Sequence, residues 1–87
     1  MTLRLRTDDI SWQEVDDAIV VLDLSGSQYF RLNGTGAFLW TALAEGRERD
    51  QLVTELTAEY SVSATQADTD VASFLAQLEA ANLLTSD

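Results

Sequence analysis

The spacing of apolar residues along this chain changes once, near residue 33, and the change separates a run of strands from a run of helices. Between Ile10 and Val15 the apolar Ile10 and Trp12 stand at alternate positions, as a strand with one buried face requires. Asp16-Asp17 then makes a turn into Ala18-Ile19-Val20-Val21-Leu22-Asp23-Leu24. This run is apolar on both faces, so it reads as the central strand, covered on both sides or flanked by a partner. Ser25-Gly26 reads as a two-residue hairpin turn into a third strand, Gln28 to Leu32, where Phe30 and Leu32 share one face and Tyr29 and Arg31 the other. Leu3 and Leu5, alternating with Arg4 and Arg6, predict an arm or a short extra strand within residues 1–9.

After Asn33 the period becomes helical. Asn33 has the short side chain of an N-cap, and Gly34 and Gly36 suit a tight passage from strand to helix. A first helix is predicted from Gly34 to Glu45, burying Leu39, Trp40 and Leu43, with Gly46 in the left-handed position that ends it. Leu52, Val53, Leu56 and Tyr60 mark a second helix. Ser63-Ala64-Thr65-Gln66 fits a capping box for a third, Ser63 to Asn82, whose stripe of Ala67, Val71, Phe74, Leu75, Leu78 and Ala81 is about 120 degrees wide. Asn82 suits a left-handed close, after which Leu83-Leu84 return to the core. The expected fold is α+β: a three-stranded antiparallel sheet followed by three helices, winged-helix-like, in one domain spanning residues 1–87.

Composition narrows the chemistry. A domain of 87 residues buries only about 60% of the surface its unfolded chain exposes, leaving little depth for an enclosed active site. Cysteine is absent, which removes disulfides and thiolate metal sites. Histidine and lysine are absent too, so the usual general bases near neutral pH are missing, and Ser25, Ser27 and Ser63 have nothing to activate them. Asp8-Asp9 and Asp16-Asp17 fall at turns with nothing to desolvate them, and Asp68 and Asp70 at the start of the third helix complement its dipole. No EF-hand spacing accompanies them, so no cofactor or metal is expected. Fifteen acidic residues against five arginines give a net charge of -10, which opposes approach to a phosphate backbone. The N-terminal residues lack the apolar core of a signal peptide, and no stretch reaches the roughly 20 apolar residues of a membrane span, so a cytoplasmic location is expected.

The third strand, if last in its sheet, leaves the N–H and C=O groups of Gln28 to Leu32 unpaired along one edge, where only Arg31 supplies a blunting charge. An open edge beside an apolar helix seats an extended peptide, with backbone pairing for affinity and side-chain pockets for specificity. The same edge would also support a homodimer with a continuous sheet.

The order of motifs adds to this reading. From Leu22 to Ala37 the chain carries a glycine turn, the aromatic pair Tyr29-Phe30, the step Leu32-Asn33, then Thr35-Gly36 and a helix holding Trp40. This passage resembles the PqqD-like family of peptide-recognition proteins. Asp70-Val71, Phe74-Leu75, Leu78 and Leu83-Leu84 look like the family's last helix and apolar tail, so the resemblance runs over roughly residues 10 to 84. Glu48 departs from it, standing where the family more often has Ser or Thr.

The resemblance implies that the leader of a precursor peptide adds a strand beside the third strand, in the groove formed with the third helix. Carried onto this chain, the groove comprises Gln28, Tyr29, Phe30, Arg31 and Leu32 on the strand side and Asp70, Val71, Phe74, Leu75 and Leu78 on the helix side. Phe30, Leu32, Val71, Leu75 and Leu78 also read as core, which a thin domain needs, while Tyr29, Arg31, Asp70 and Phe74 read better as groove wall. The segment from Leu22 to Trp40 looks most like the free-standing lasso-peptide members. That likeness implies a non-catalytic module presenting the precursor to a separate leader peptidase and cyclase. Two alternatives stand beside it: a PqqD-like chaperone of a radical-enzyme peptide-modifying pathway, and a winged-helix transcription regulator. The regulator needs a basic recognition helix, and the third helix has no Arg or Lys.

Overall fold

The computed structural model describes residues 1–86. In chain order its elements are β1 (Leu3–Leu5), β2 (Ile10–Val15), β3 (Ala18–Asp23), β4 (Gln28–Asn33), α1 (Gly34–Ala44), α2 (Arg49–Tyr60), α3 (Ala64–Ala80) and β5 (Leu84–Ser86). The expected α+β architecture is present: β2, β3 and β4 form an antiparallel sheet with β3 central, followed by three helices. The N-terminal arm is a true strand. β1 pairs antiparallel with β5, Leu5 opposite Leu84, and Leu3 also bridges to Arg47, so both ends of the described chain close over the core.

Register sorts the sheet residues by face. Val21 lies between Trp12 and Phe30, and Ile19 between Glu14 and Leu32, so Trp12, Ile19, Val21, Phe30 and Leu32 share the inner face. Against them sits α1, whose Leu39, Trp40 and Leu43 are wholly buried. Leu52 and Leu56 of α2 and Val71 and Phe74 of α3 complete the same cluster. The ring of Trp12 meets Trp40 edge to face at 6.1 Å, which extends the core to the β2 edge. The indole N–H of Trp40 is buried and has no hydrogen-bond acceptor among the described residues.

Three local expectations need correction. Coverage on both faces of the central strand is not found among the described residues: on the outer face Ala18 is buried but Leu22 is 42% exposed, and Leu24 lies beyond the strand in the turn. Apolar residues on both faces reflect strand propensity there, since among the described residues the helix packed on this strand is α1, on its inner face. The β3–β4 connection is a four-residue loop, 24–27, rather than a two-residue turn, and the residue with positive φ is Ser27 (53°), not Gly26. The cause is Asp23, whose carboxylate accepts from the Gly26 N–H at 3.1 Å and from the Ser25 hydroxyl at 2.9 Å. Glycine is needed at 26 for room: a Cβ would fall 2.9 Å from the Asp23 carboxylate. Lastly, Asn33 does not cap α1 through its side chain. It ends β4 opposite Ala18, and Gly34, at φ 54°, turns the chain into the helix.

The other helix ends follow the chemistry of their sequence. Gly46 is left-handed (φ 88°) after α1. Gln51 accepts from the Glu48 N–H at 2.8 Å, which supplies α2 with a cap although Ser or Thr is missing. Ser63 accepts from the Gln66 N–H at 3.1 Å to begin α3. Asn82 (φ 61°) ends it, with Asn82 N–H bonded to Glu79 C=O at 3.0 Å and Leu83 N–H to Leu78 C=O at 2.8 Å, a Schellman pair that delivers Leu83 into the core.

Asp23 is the buried acid of the core, 2% exposed. Arg6 donates to it at 2.7 Å and to Ser25 at 3.2 Å, so the N-terminal arm and the β3–β4 loop share one polar network. Burial alone would raise the Asp23 carboxyl, but the Gly26 N–H, the Ser25 hydroxyl and the Arg6 guanidinium together hold it below its ordinary value. A carboxyl lowered on folding adds stability that is complete above its unfolded value and is lost as pH falls through the folded one. Denaturant titration should therefore show stability falling as pH drops below about 4, the ordinary carboxylate value, and Asp23→Asn should flatten that dependence. A Leu43→Ala variant should lose about 2–5 kcal/mol, a large part of the 5–15 kcal/mol typical of a domain, measured by the shift of the urea midpoint.

Candidate functional site

A groove runs between β4 and α3. It exists because α3 packs on α2 and β5 rather than on the sheet, while α1 fills the space beneath. At the edge of the sheet β4 pairs with β3 alone, so its outer backbone groups have no strand partner among the described residues. Two adjoining depressions make up the groove, and both are bordered by Leu32, Phe74 and Gln77. The larger, about 340 Å³, is polar at its rim: Arg31 and Asn33 from β4, Thr35 and Gly36 from the start of α1, Asp70 and Ser73 from α3. The smaller, about 210 Å³, is apolar, walled by Phe30, Trp40, Leu78, Ala81 and Leu83. These volumes admit side chains, so an occupant would be an extended chain lying along the edge.

Of the residues singled out in the sequence, Phe30, Arg31, Leu32, Asp70, Phe74 and Leu78 line this groove. Four lie elsewhere. Gln28 is at the start of β4, where its amide reaches Asp23 at 3.4 Å. Tyr29 projects from the outer face of the sheet and is 62% exposed. Val71 is wholly buried in the core, and Leu75 is half-buried against it. The helix side of the groove also includes Ser73, Gln77 and Ala81. With Asp70 and Phe74 they follow the spacing i, i+3, i+4, i+7, i+11, a face that shares Phe74 and Ala81 with the apolar stripe and extends past its edge to Asp70, Ser73 and Gln77. A search for apolar periodicity passes over Ser73 and Gln77 because they are polar. The same spacing counted from Asp70 would have found them.

The floor is close-packed. A Cβ on Gly36 would meet the Phe74 ring at 3.6 Å and Leu32 at 3.8 Å, ordinary contact distances, so Phe74 and Leu32 belong to the core and to the groove wall at once. Electrostatically the walls differ. Arg31 is exposed on β4, and Asp70, half-buried on α3, accepts from the Gln66 amide at 2.8 Å. Arg49 holds Asp68 on the far flank of that helix at 2.7 Å. Among the described residues, no helix is long and apolar enough to cross a membrane.

An α+β domain of this topology, with an open edge strand facing a helix across a groove, is the form of a peptide-recognition module. The chain matches the family of coenzyme PQQ synthesis protein D (PqqD) over residues 18–84, from the central strand to the start of β5, and it belongs to that family. It is also similar over nearly its whole length to two solved structures. One is TbiB1 in complex with the TbiA(beta) leader peptide, with 31% identity, TM-score 0.86, and coverage of 97% of this chain and 99% of that one. The other is lasso peptide synthetase B1 complexed with the leader peptide, with 31% identity, TM-score 0.83, and coverage of 97% and 98%. No curated protein matches the chain.

The open edge has a direct observable. Alternate β4 amides, those turned away from β3, should exchange with solvent much faster than the amides of β3, read residue by residue in a hydrogen-exchange NMR series. Uniform protection along β4 would mean that the edge is covered in solution.

Proposed function

We propose that this protein binds the leader segment of a ribosomally made precursor peptide of the lasso type, by adding it as a strand to β4 in the groove facing α3. The observation that carries this reading is the unpaired β4 edge running beside an apolar depression floored by Phe74 and Leu32. Backbone pairing along β4 supplies affinity without regard to sequence, and the depressions select alternate side chains of the added strand. Membership of the PqqD family, and the leader-peptide complexes of the two similar structures, support the same reading.

Its part in maturation is to hold the precursor, while a separate leader peptidase removes the leader and a cyclase closes the product. A non-catalytic role agrees with the groove's own chemistry. Its ionisable lining residues are Arg31 and Asp70, and the hydroxyls of Thr35 and Ser73 have no His, Cys or Lys anywhere in the chain to activate them. Among the residues outside the groove, Tyr29 contributes from the outer face, where it flanks the added strand. Gln28 marks the end of the pairing edge, and Val71 and Leu75 support Phe74 from within α3.

The test is a fluorescence-polarisation titration against a labelled leader segment of the precursor encoded beside the gene, with a scrambled leader and a DNA duplex as controls. Saturable binding of the true leader alone is expected, and equal binding of the scrambled peptide, or none of either, would sink the reading. Phe74 is too buried for a clean probe, since truncation would also weaken the core. Gln77, exposed and bordering both depressions, is better. Gln77→Trp should fill the groove and weaken leader binding by about tenfold or more, the equivalent of at least about 1.4 kcal/mol, with an unchanged thermal midpoint.

A further inference from the structure

The groove carries one charge on each wall, Arg31 on β4 and Asp70 on α3, both bordering the larger depression. Arg31 differs from most of the other arginines. Arg6, Arg47 and Arg49 are each held by a carboxylate, at 2.7, 2.8 and 2.7 Å, whereas Arg31 makes no ion pair among the described residues although the chain has a net charge of -10. Asp70 likewise has a hydrogen bond from Gln66 but no cation among the described residues. Protection of an exposed edge against aggregation would explain a charge on β4 of either sign. It does not explain an opposite, equally unneutralised charge across the groove.

We propose that Arg31 and Asp70 read the charge of the bound peptide, so that the groove selects three consecutive residues in the order apolar, acidic, basic when followed alongside β4 from Phe30 toward Asn33. This inference rests on the reading of the groove as a peptide site and names what the peptide must present. Phe30 and Leu32 face inward, and Arg31 between them faces outward. A strand laid beside β4 alternates in the same way, so the residue opposite Arg31 turns its side chain to the outer face, where a carboxylate would pair with the guanidinium. Its two neighbours turn inward. The one beside Phe30 meets the apolar depression, walled by Trp40 and Leu78. The one beside Leu32 meets the larger depression, where Asp70, Ser73 and Gln77 favour a cationic or donor tip. An antiparallel peptide carries the same three residues in reverse order.

Selection of random peptides, displayed in lengths sufficient to span β4, on the full chain and on the variants Arg31→Glu and Asp70→Lys tests this directly. Both substitutions lie on exposed or half-exposed positions, and circular dichroism melts would confirm that each variant is folded. The parent should enrich the apolar, acidic, basic triplet. Arg31→Glu should exchange the acid for a base at the middle position alone, and Asp70→Lys the base for an acid at the last. A parent-selected peptide should lose about 5- to 10-fold in affinity on either variant at low salt, and the difference should narrow at high salt. Groove-directed peptides sharing the apolar residue but no charge preference across the three proteins would overturn the charge reading and leave peptide binding standing. If no selected peptide were excluded by Gln77→Trp, both readings would fall.

Discussion

Burial of α1 is the constraint on which the rest of the molecule depends. A chain of this size has one thin core, and Leu39, Trp40 and Leu43 occupy its centre with no exposed surface. Around them α1 touches β1, β3, β4 and α2, so the three-stranded sheet meets the helical layer chiefly through it, while α3 packs directly on α2. Because α1 takes the inner face of the sheet, α3 is held off β4 and rests on α2. The groove is the gap this arrangement leaves. Trp40 supports the core and walls the apolar depression, and Phe74 does the same from the opposite side. Stability and site thus share residues, which is why exposed Gln77 and Arg31 separate the two more cleanly than any large apolar side chain.

A second constraint is polar. Asp23 ends the central strand inside the core and is satisfied by Arg6 from the N-terminal arm, by Ser25 and Gly26 from the loop, and by Gln28 from the first position of β4. Such networks contribute less through net energy than by specifying one arrangement, since an unpaired carboxylate there would be costly. Here the arrangement specified is the place where β4 begins. That in turn sets which side chains of β4 face inward, because a slip of one residue would exchange Phe30 and Leu32 for Tyr29 and Arg31. The polar network at the start of β4 and the burial of Phe30 and Leu32 thus agree on one register.

Much of the architecture was legible in the sequence because it rests on local rules. Alternation marked β2 and β4, the helical period marked all three helices, and the left-handed positions at Gly46 and Asn82 followed from residues that tolerate positive φ. Where structure and pattern differ, the cause is a single side-chain bond, a backbone dihedral or the arrangement of layers, none of which the spacing of apolar residues reports. The Asp23 carboxylate closes a four-residue loop where Ser25-Gly26 suggested a two-residue turn, and Gly34 redirects the chain where Asn33 looked like a cap. Apolar residues on both faces of β3 suggested coverage on both sides or a flanking partner, whereas Leu22 on its outer face is exposed among the described residues.

The groove divides along the same line. Its residue types and their approximate place, Phe30 to Leu32 on a strand and Asp70 to Leu78 on a helix, were determined by the sequence, since alternation and helical spacing fix which side chains share a face. Which face of α3 turns toward β4 was decided only by the tertiary structure. A helix with a broad apolar stripe can dock about its own axis in more than one way, and the packing of α3 on α2 buries Val71 while leaving Asp70, Ser73 and Gln77 along the gap. Polar groove residues carry no periodic signal of their own, so their role becomes visible only once the core has claimed the apolar ones.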